Sequence, residues 1–197
     1  MRLRTKAVIA MAIVSLAVIV YAGLSIARHG FSAREKPSRL EEFLARHARK
    51  IATPADAKQL KNPYPVTDAS LAAARAHWVD HCASCHGLDG SGNSELGRNL
   101  YPPAPDMRDS LTQDLSNGEL YYIITNGIRF TGMPAWGGEH SPEETWQLVS
   151  LIRHLPRLSP EELKLMEQSV AGETGSAESH PHTHTHGPGA KPHTHQH

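Results

Sequence analysis

Cysteine is nearly absent: among 197 residues only Cys82 and Cys85 occur. A disulfide-stapled scaffold is thereby excluded, as is a four-thiolate zinc or iron–sulfur site within one chain. Neither sign of charge is in excess, with Lys plus Arg at 20 and Asp plus Glu at 20. A global basic field for nucleic acid and a global acidic field both fall away. Aromatics are sparse at 6%, and 39% apolar residues is modest for a compact fold. No segment alternates with the period-two pattern of a strand, so an all-α chain is expected. At this length a multi-domain enzyme is excluded.

What is present is unevenly placed. After Arg2, Arg4 and Lys6 comes an apolar run from Ala7 to Ala27. At about 1.5 Å per residue it spans a hydrocarbon core of roughly 30 Å. A cleaved signal peptide is the rival reading, but its apolar region is usually about 7–15 residues, so the length favours a retained anchor over 7–27. Charge does not orient it, because Arg28, Arg34, Lys36 and Arg39 follow the three basic residues that precede it. Residues 28–65 read as a basic stalk. Nine basic against four acidic side chains leave +5 over 28–62, and Ser38 to Ile51 carries Leu40, Phe43, Leu44 and Ala48 on one helical stripe. A solvated spacer is the plain interpretation, with attraction to anionic headgroups an added one. Pro54, Pro63 and Pro65 set a boundary near residue 65.

Residues 66–156 read as a small helical domain. Thr67 caps a helix to about Cys82 with Leu71, Ala74, Trp78 and Val79 inward. Ser116 and Glu119 open a second helix, stopped by Asn126 and Gly127. Ser141, Pro142 and Glu144 open a third, ended by Pro156. Ser159, Pro160 and Glu162 repeat that signature for a helix over 157–170. About 90 residues with so much loop between helices make a marginal core unless a large cofactor is buried in it.

Cys82, Cys85 and His86 form C-x-x-C-H, a c-type haem attachment signature. Two thiols three residues apart add to the two vinyl groups of one porphyrin, and the adjoining imidazole serves as proximal ligand. A redox dithiol and a zinc half-site are the competing readings. The sixth ligand expected is Met133, in Gly132-Met133-Pro134, with Met107 and Met166 as competitors. A His and Met pair favours Fe(II) and raises the potential.

These residues, with Asp89-Gly90-Ser91-Gly92, Pro102-Pro103-Ala104-Pro105-Asp106, Gly132-Met133-Pro134-Ala135-Trp136 and Trp146 to Arg153, resemble a class I c-type cytochrome. The resemblance is particularly to the short single-haem type, similar to the cytochrome domains of cbb3 oxidases and dehydrogenase cytochrome subunits, over about half the chain. The resemblance implies one covalent haem c, one-electron transfer between respiratory partners such as an oxidase or dehydrogenase, and no catalytic residue. It also implies a bacterial inner-membrane location with residues 1–6 cytoplasmic and the haem domain periplasmic. A proline carbonyl, of Pro102 or Pro103, is expected to accept from the His86 imidazole. Where the family crosses its first and last helices at a glycine against an aromatic ring, this chain has Ala74 and Leu151, a compensated exchange of volume. Trp78, Tyr121, Tyr122, Phe130, Trp136 and Trp146 are expected mainly in core packing.

Between Val66 and Pro156 five arginines face eleven carboxylates, leaving −6, so a partner with a basic patch is the better match. Seven of the fourteen histidines, His180, His182, His184, His186, His193, His195 and His197, lie in the last eighteen residues. Residues 171–197 are expected to be disordered, with imidazoles that chelate Cu(II), Ni(II) or Zn(II) or merely solubilise. Two other functions compete: a peroxidase-like haem enzyme, with His81 or His140 as distal acid–base group, and a metal-handling protein acting through the tail.

Overall fold

The structure, a computed structural model, describes residues 2–29 and 32–175. All regular structure among the described residues is helical. Helix α1 (Arg2–His29) contains the stretch Thr5–Ser25, of mean hydropathy 2.6, with none of its surface covered by the rest of the chain. It alone among the described residues is long and apolar enough to cross a bilayer. Apolar side chains on every face suit lipid rather than a protein core.

Helix α2 (Arg39–Ala52) starts where Ser38 Oγ accepts from the Glu41 N–H. Glu41 and Glu42 in its first turn and Arg49 and Lys50 in its last both complement the helix dipole. None of its residues is buried, and Leu40, Phe43, Leu44 and Ile51 are exposed. Helix α3 (Ala55–Gln59) is short, but Ala57 in it is buried.

The globular part begins with α4 (Asp68–His81), capped reciprocally by Thr67 and Ser70. After Cys82 the chain makes one further turn, α5 (Ala83–His86), and stops at Gly87. Two single turns follow, α6 (Glu95–Arg98) and α7 (Ser110–Gln113). Helices α8 (Asn117–Asn126) and α9 (Pro142–His154) carry the capping boxes read from Ser116/Glu119 and Ser141/Glu144. A 3₁₀ turn, Leu155–Arg157, leads into α10 (Pro160–Gly175).

Helix α4 crosses α9 with α8 alongside, and Ala74 and Leu151 are both fully buried in the shared core with Trp78, Trp146, Leu148, Val149 and Ile152. Each large apolar side chain so buried contributes about 1.5–3 kcal/mol. The core is wider than residues 66–156. Helix α3 packs on α8, Ser116 Oγ donates to the Lys58 carbonyl at 2.9 Å, and Asn62 Nδ2 donates to Ser150 Oγ at 3.2 Å. At the other end α10 packs on α4: Met166 is 2% exposed, and Glu162 accepts from Arg75 at 2.8 Å and contacts His154 at 3.0 Å. Met166 is therefore core filling rather than a ligand on a helix beyond the domain.

Candidate functional site

The Cys82–His86 turn is built as a rigid unit. Cys82 closes α4 by donating its N–H to the Trp78 carbonyl, and its own carbonyl accepts from Cys85 N at 3.2 Å and His86 N at 2.9 Å. Side chains three apart on such a turn share one side, which brings Cys82 and Cys85 together. Both are free thiols, half-buried. Burial, reinforced by Cys85, pushes the Cys82 thiol up to about 12. A catalytic redox dithiol needs the opposite, a depressed thiol, so the direction of this shift weighs against that competing reading.

His86 is 8% exposed, and its Nδ1 is buried with no hydrogen-bond partner. Burial holds its pKa down, against an upward pull from the Pro105 carbonyl. The proline carbonyl that pulls the His86 pKa up is that of Pro105, and no hydrogen bond joins the ring to Pro102 or Pro103. It arrives there because Gly92 adopts φ +69°, and a Cβ at that position would lie 2.3 Å from the Ala104 oxygen and 2.9 Å from the Pro105 oxygen. Gly92 also donates its N–H to the His86 carbonyl at 2.7 Å. Ser94 Oγ bonds the carbonyls of Ser84 and Cys85 at 2.6 and 2.9 Å.

Arg108 was not distinguished by sequence. It clamps this loop, bonding Asp106 through Nε at 2.9 Å and Nη2 at 2.7 Å, and Asp89 through Nη1 at 2.8 Å. Burial acts to raise the Asp89 carboxyl, but hydrogen bonds from Ser91 and the Arg108 charge outweigh it and leave the pKa lowered. The signal available was two carboxylates, one on each side of the proline loop, with a single arginine beside them.

Met133 sits in a loop sewn to the end of α8. Ile128 N donates to the Met133 carbonyl at 3.1 Å, Met133 N donates to Thr131 Oγ1 at 3.1 Å, and Trp136 N donates to the Ile124 carbonyl at 3.0 Å. Gly127 turns the chain back at φ +66°, where a Cβ would lie 2.7–2.8 Å from the backbone of Met133, Pro134 and Ala135. Met107 packs against the core as Met166 packs within it, whereas Met133 is half-buried and outside that cluster. Phe130 departs from the expected core role: it is 92% exposed and holds φ +63°, a conformation that bulky residues rarely adopt. Trp78 and Trp146 are buried as expected, and Tyr121 stacks on Trp146 at 4.5 Å. The seven tail histidines fall outside the described residues.

Residues 69–152 match the family described as cytochrome c oxidase, cbb3-type, subunit III. This segment is a c-type cytochrome domain. A curated cbb3-type cytochrome c oxidase subunit, FixPc of Rhizobium leguminosarum bv. viciae, is 29% identical over 90 residues, which cover 45% of this chain and 29% of that protein. The chain thus spans less than a third of that relative's length. A solved chain of a reducing HAO-like protein complex from Kuenenia stuttgartiensis is 22% identical, with a TM-score of 0.44, over 48% of this chain and 47% of that one.

A cytochrome c domain implies haem c and electron transfer. The donor set here fits such a group: two neighbouring thiols, and a buried imidazole whose Nδ1 is orphaned while a proline carbonyl acts on the same ring. An orphaned buried nitrogen is uncommon without a functional reason.

Proposed function

We propose that the chain is a membrane-anchored one-electron carrier: Cys82 and Cys85 would hold one haem c by thioethers, and His86 and Met133 would supply the ligands to its iron. The observation that carries this reading is the His86 imidazole, buried, with an orphaned Nδ1, and adjoining two thiols on a single turn. When bound, haem supplies a metal centre that gains and loses one electron. The chain's own residues do the rest. The turn Cys82–His86 fixes the attachment points, and the Pro105 carbonyl orients the imidazole, which sets its basicity as a ligand. The loop closed by Gly127 presents Met133, whose soft sulfur favours the reduced ion.

Anchoring rests on α1, whose stretch Thr5–Ser25 has a mean hydropathy of 2.6. Thioether attachment belongs to the outer side of the bacterial inner membrane, so the cytochrome domain lies in the periplasm and residues 1–6 in the cytoplasm. Its −6 charge over Val66–Pro156 suits a respiratory partner, an oxidase or a dehydrogenase, with a basic docking face. The peroxidase-like alternative needs an open iron position and a free distal base. His81 and His140, its two candidates, are drawn into contact with His77 instead.

The test compares full-length holoprotein with Met133→Ala. The wild type is expected to show the long-wavelength methionine-to-ferric-iron band and to resist carbon monoxide in the reduced state, and the variant to lose the band and bind the gas. Ready uptake of carbon monoxide by the wild type overturns the carrier reading.

A further inference from the structure

Three imidazoles outside the haem-binding turn converge beside Trp136. His77 and His81 stand one turn apart on α4, with ring centroids 4.9 Å apart. His140, immediately before the N-cap of α9, enters from the other side, its centroid 4.2 Å from His77 and 5.3 Å from His81. The Nε2 atoms of His77 and His140 are 3.0 Å apart, and one nitrogen from each of the three rings lies within 4.8 Å of the others.

Two facing imidazole nitrogens share at most one proton. His140 is 8% exposed, and its Nδ1 has no hydrogen-bond partner. The set is also held in place. Trp136 stacks on His140 at 4.8 Å and 13°, meets His81 edge-on at 5.5 Å, and accepts the His140 N–H on its carbonyl at 2.9 Å. Behind His77, the Glu144 carboxylate lies 3.9 Å from Nδ1, the nitrogen that does not face His140. A carboxylate behind a histidine is the arrangement that orients imidazole ligands towards a metal.

We propose that His77, His81 and His140 form a three-histidine site for a borderline divalent ion of the zinc or copper type, with its fourth position open to water or an exogenous ligand. Nitrogen donors at about 2.0–2.1 Å in a tetrahedron stand about 3.3 Å from one another. The His77–His140 pair is already close to that spacing, and His81, which is exposed, has a ring nitrogen within 4.8 Å of both. Burial first, and then the neighbouring imidazoles, hold His77 and His140 below the ordinary histidine value, against weaker upward pulls from Glu144, Asp80 and Glu139. None of the three is Cys82, Cys85, His86 or Met133, so this is a second centre. It links the last turn of α4 to the segment that continues from the Met133 loop, and an ion there ties those two parts together.

Any histidine side chain is a potential ligand for the same ions, so the test uses full-length holoprotein in which His180, His182, His184, His186, His193, His195 and His197 are replaced by alanine. Equilibrium dialysis against zinc should show about one tightly held ion per chain. Adding His77→Gln or His140→Gln should weaken zinc by at least about tenfold, as should His81→Gln, whose exposed position leaves folding undisturbed. With copper in the same site, electron paramagnetic resonance should show hyperfine coupling to imidazole nitrogens that is lost in each variant. A tail-substituted protein that holds no zinc overturns the proposal, and so does zinc affinity unchanged by His81→Gln. Neither result bears on the haem ligands, which the Met133 spectra test separately.

Discussion

The indole Nε1 of Trp78 donates a hydrogen bond to the carbonyl of Gly87 at 3.0 Å, so the last turn of α4 is tied directly to the residue after His86. Trp78 is 1% exposed, and no water can replace that bond. The core helix and the Cys82–His86 turn are therefore coupled through this bond.

Trp78→Phe keeps a large ring but strands the Gly87 carbonyl. The expected loss is about 1–3 kcal/mol, the penalty for an unsatisfied buried acceptor plus some lost volume. Denaturant unfolding of the holoprotein measures it, and a change below about 0.5 kcal/mol means the bond is not holding the turn.

Met166 and Met133 are expected to separate cleanly. Met166→Ala opens a cavity among core side chains where α10 meets α4, at about 2–5 kcal/mol, with iron ligation intact. Met133→Ala is expected to abolish the axial band at smaller cost to the fold. Thermal melts and optical spectra of both variants decide the matter.

Gly127→Ala forces a side chain onto φ +66° and into the backbone of Met133 and Pro134. A penalty above about 1 kcal/mol is expected from the backbone alone, together with a weakened methionine band as the loop shifts. An unchanged band means the loop is not held by that turn.

Glu162 accepts the Ser159 N–H at 3.0 Å, contacts His154 and pairs with Arg75. The Ser159 backbone bond first, and then His154 and Arg75, hold its carboxyl below the ordinary value despite some burial. A lowered folded pKa contributes stability that is present above the unfolded value, about 4.3, and is lost as pH falls through the folded one. Glu162→Gln should therefore cost about 1 kcal/mol near neutral pH, discounted for partial exposure. The gap to wild type should close in acid below about pH 4. Melting curves at several pH values test this, and a gap that widens in acid reverses the sign.

The helices were legible because their signals are local. Ser116 with Glu119 and Ser141 with Glu144 form the reciprocal caps that their spacing implies, and Cys82, Cys85 and His86 are contiguous. What escaped was non-local. That Pro105 rather than Pro102 or Pro103 acts on His86 depends on the fold of the Gly92 turn against Ala104. The docking of Ala57 on α8 and of Met166 on α4 joins segments separated by prolines that read as boundaries. His77 and His140 are 63 residues apart, and no periodicity connects a helix face with a loop.

The intact mass of full-length protein in denaturant, after expression with the haem-attachment machinery, tests the central claim most directly. The expected result is the polypeptide mass plus one haem, and the bare polypeptide mass when Cys82 and Cys85 are both replaced by alanine. A wild-type chain that releases its pigment and registers the bare mass contradicts it.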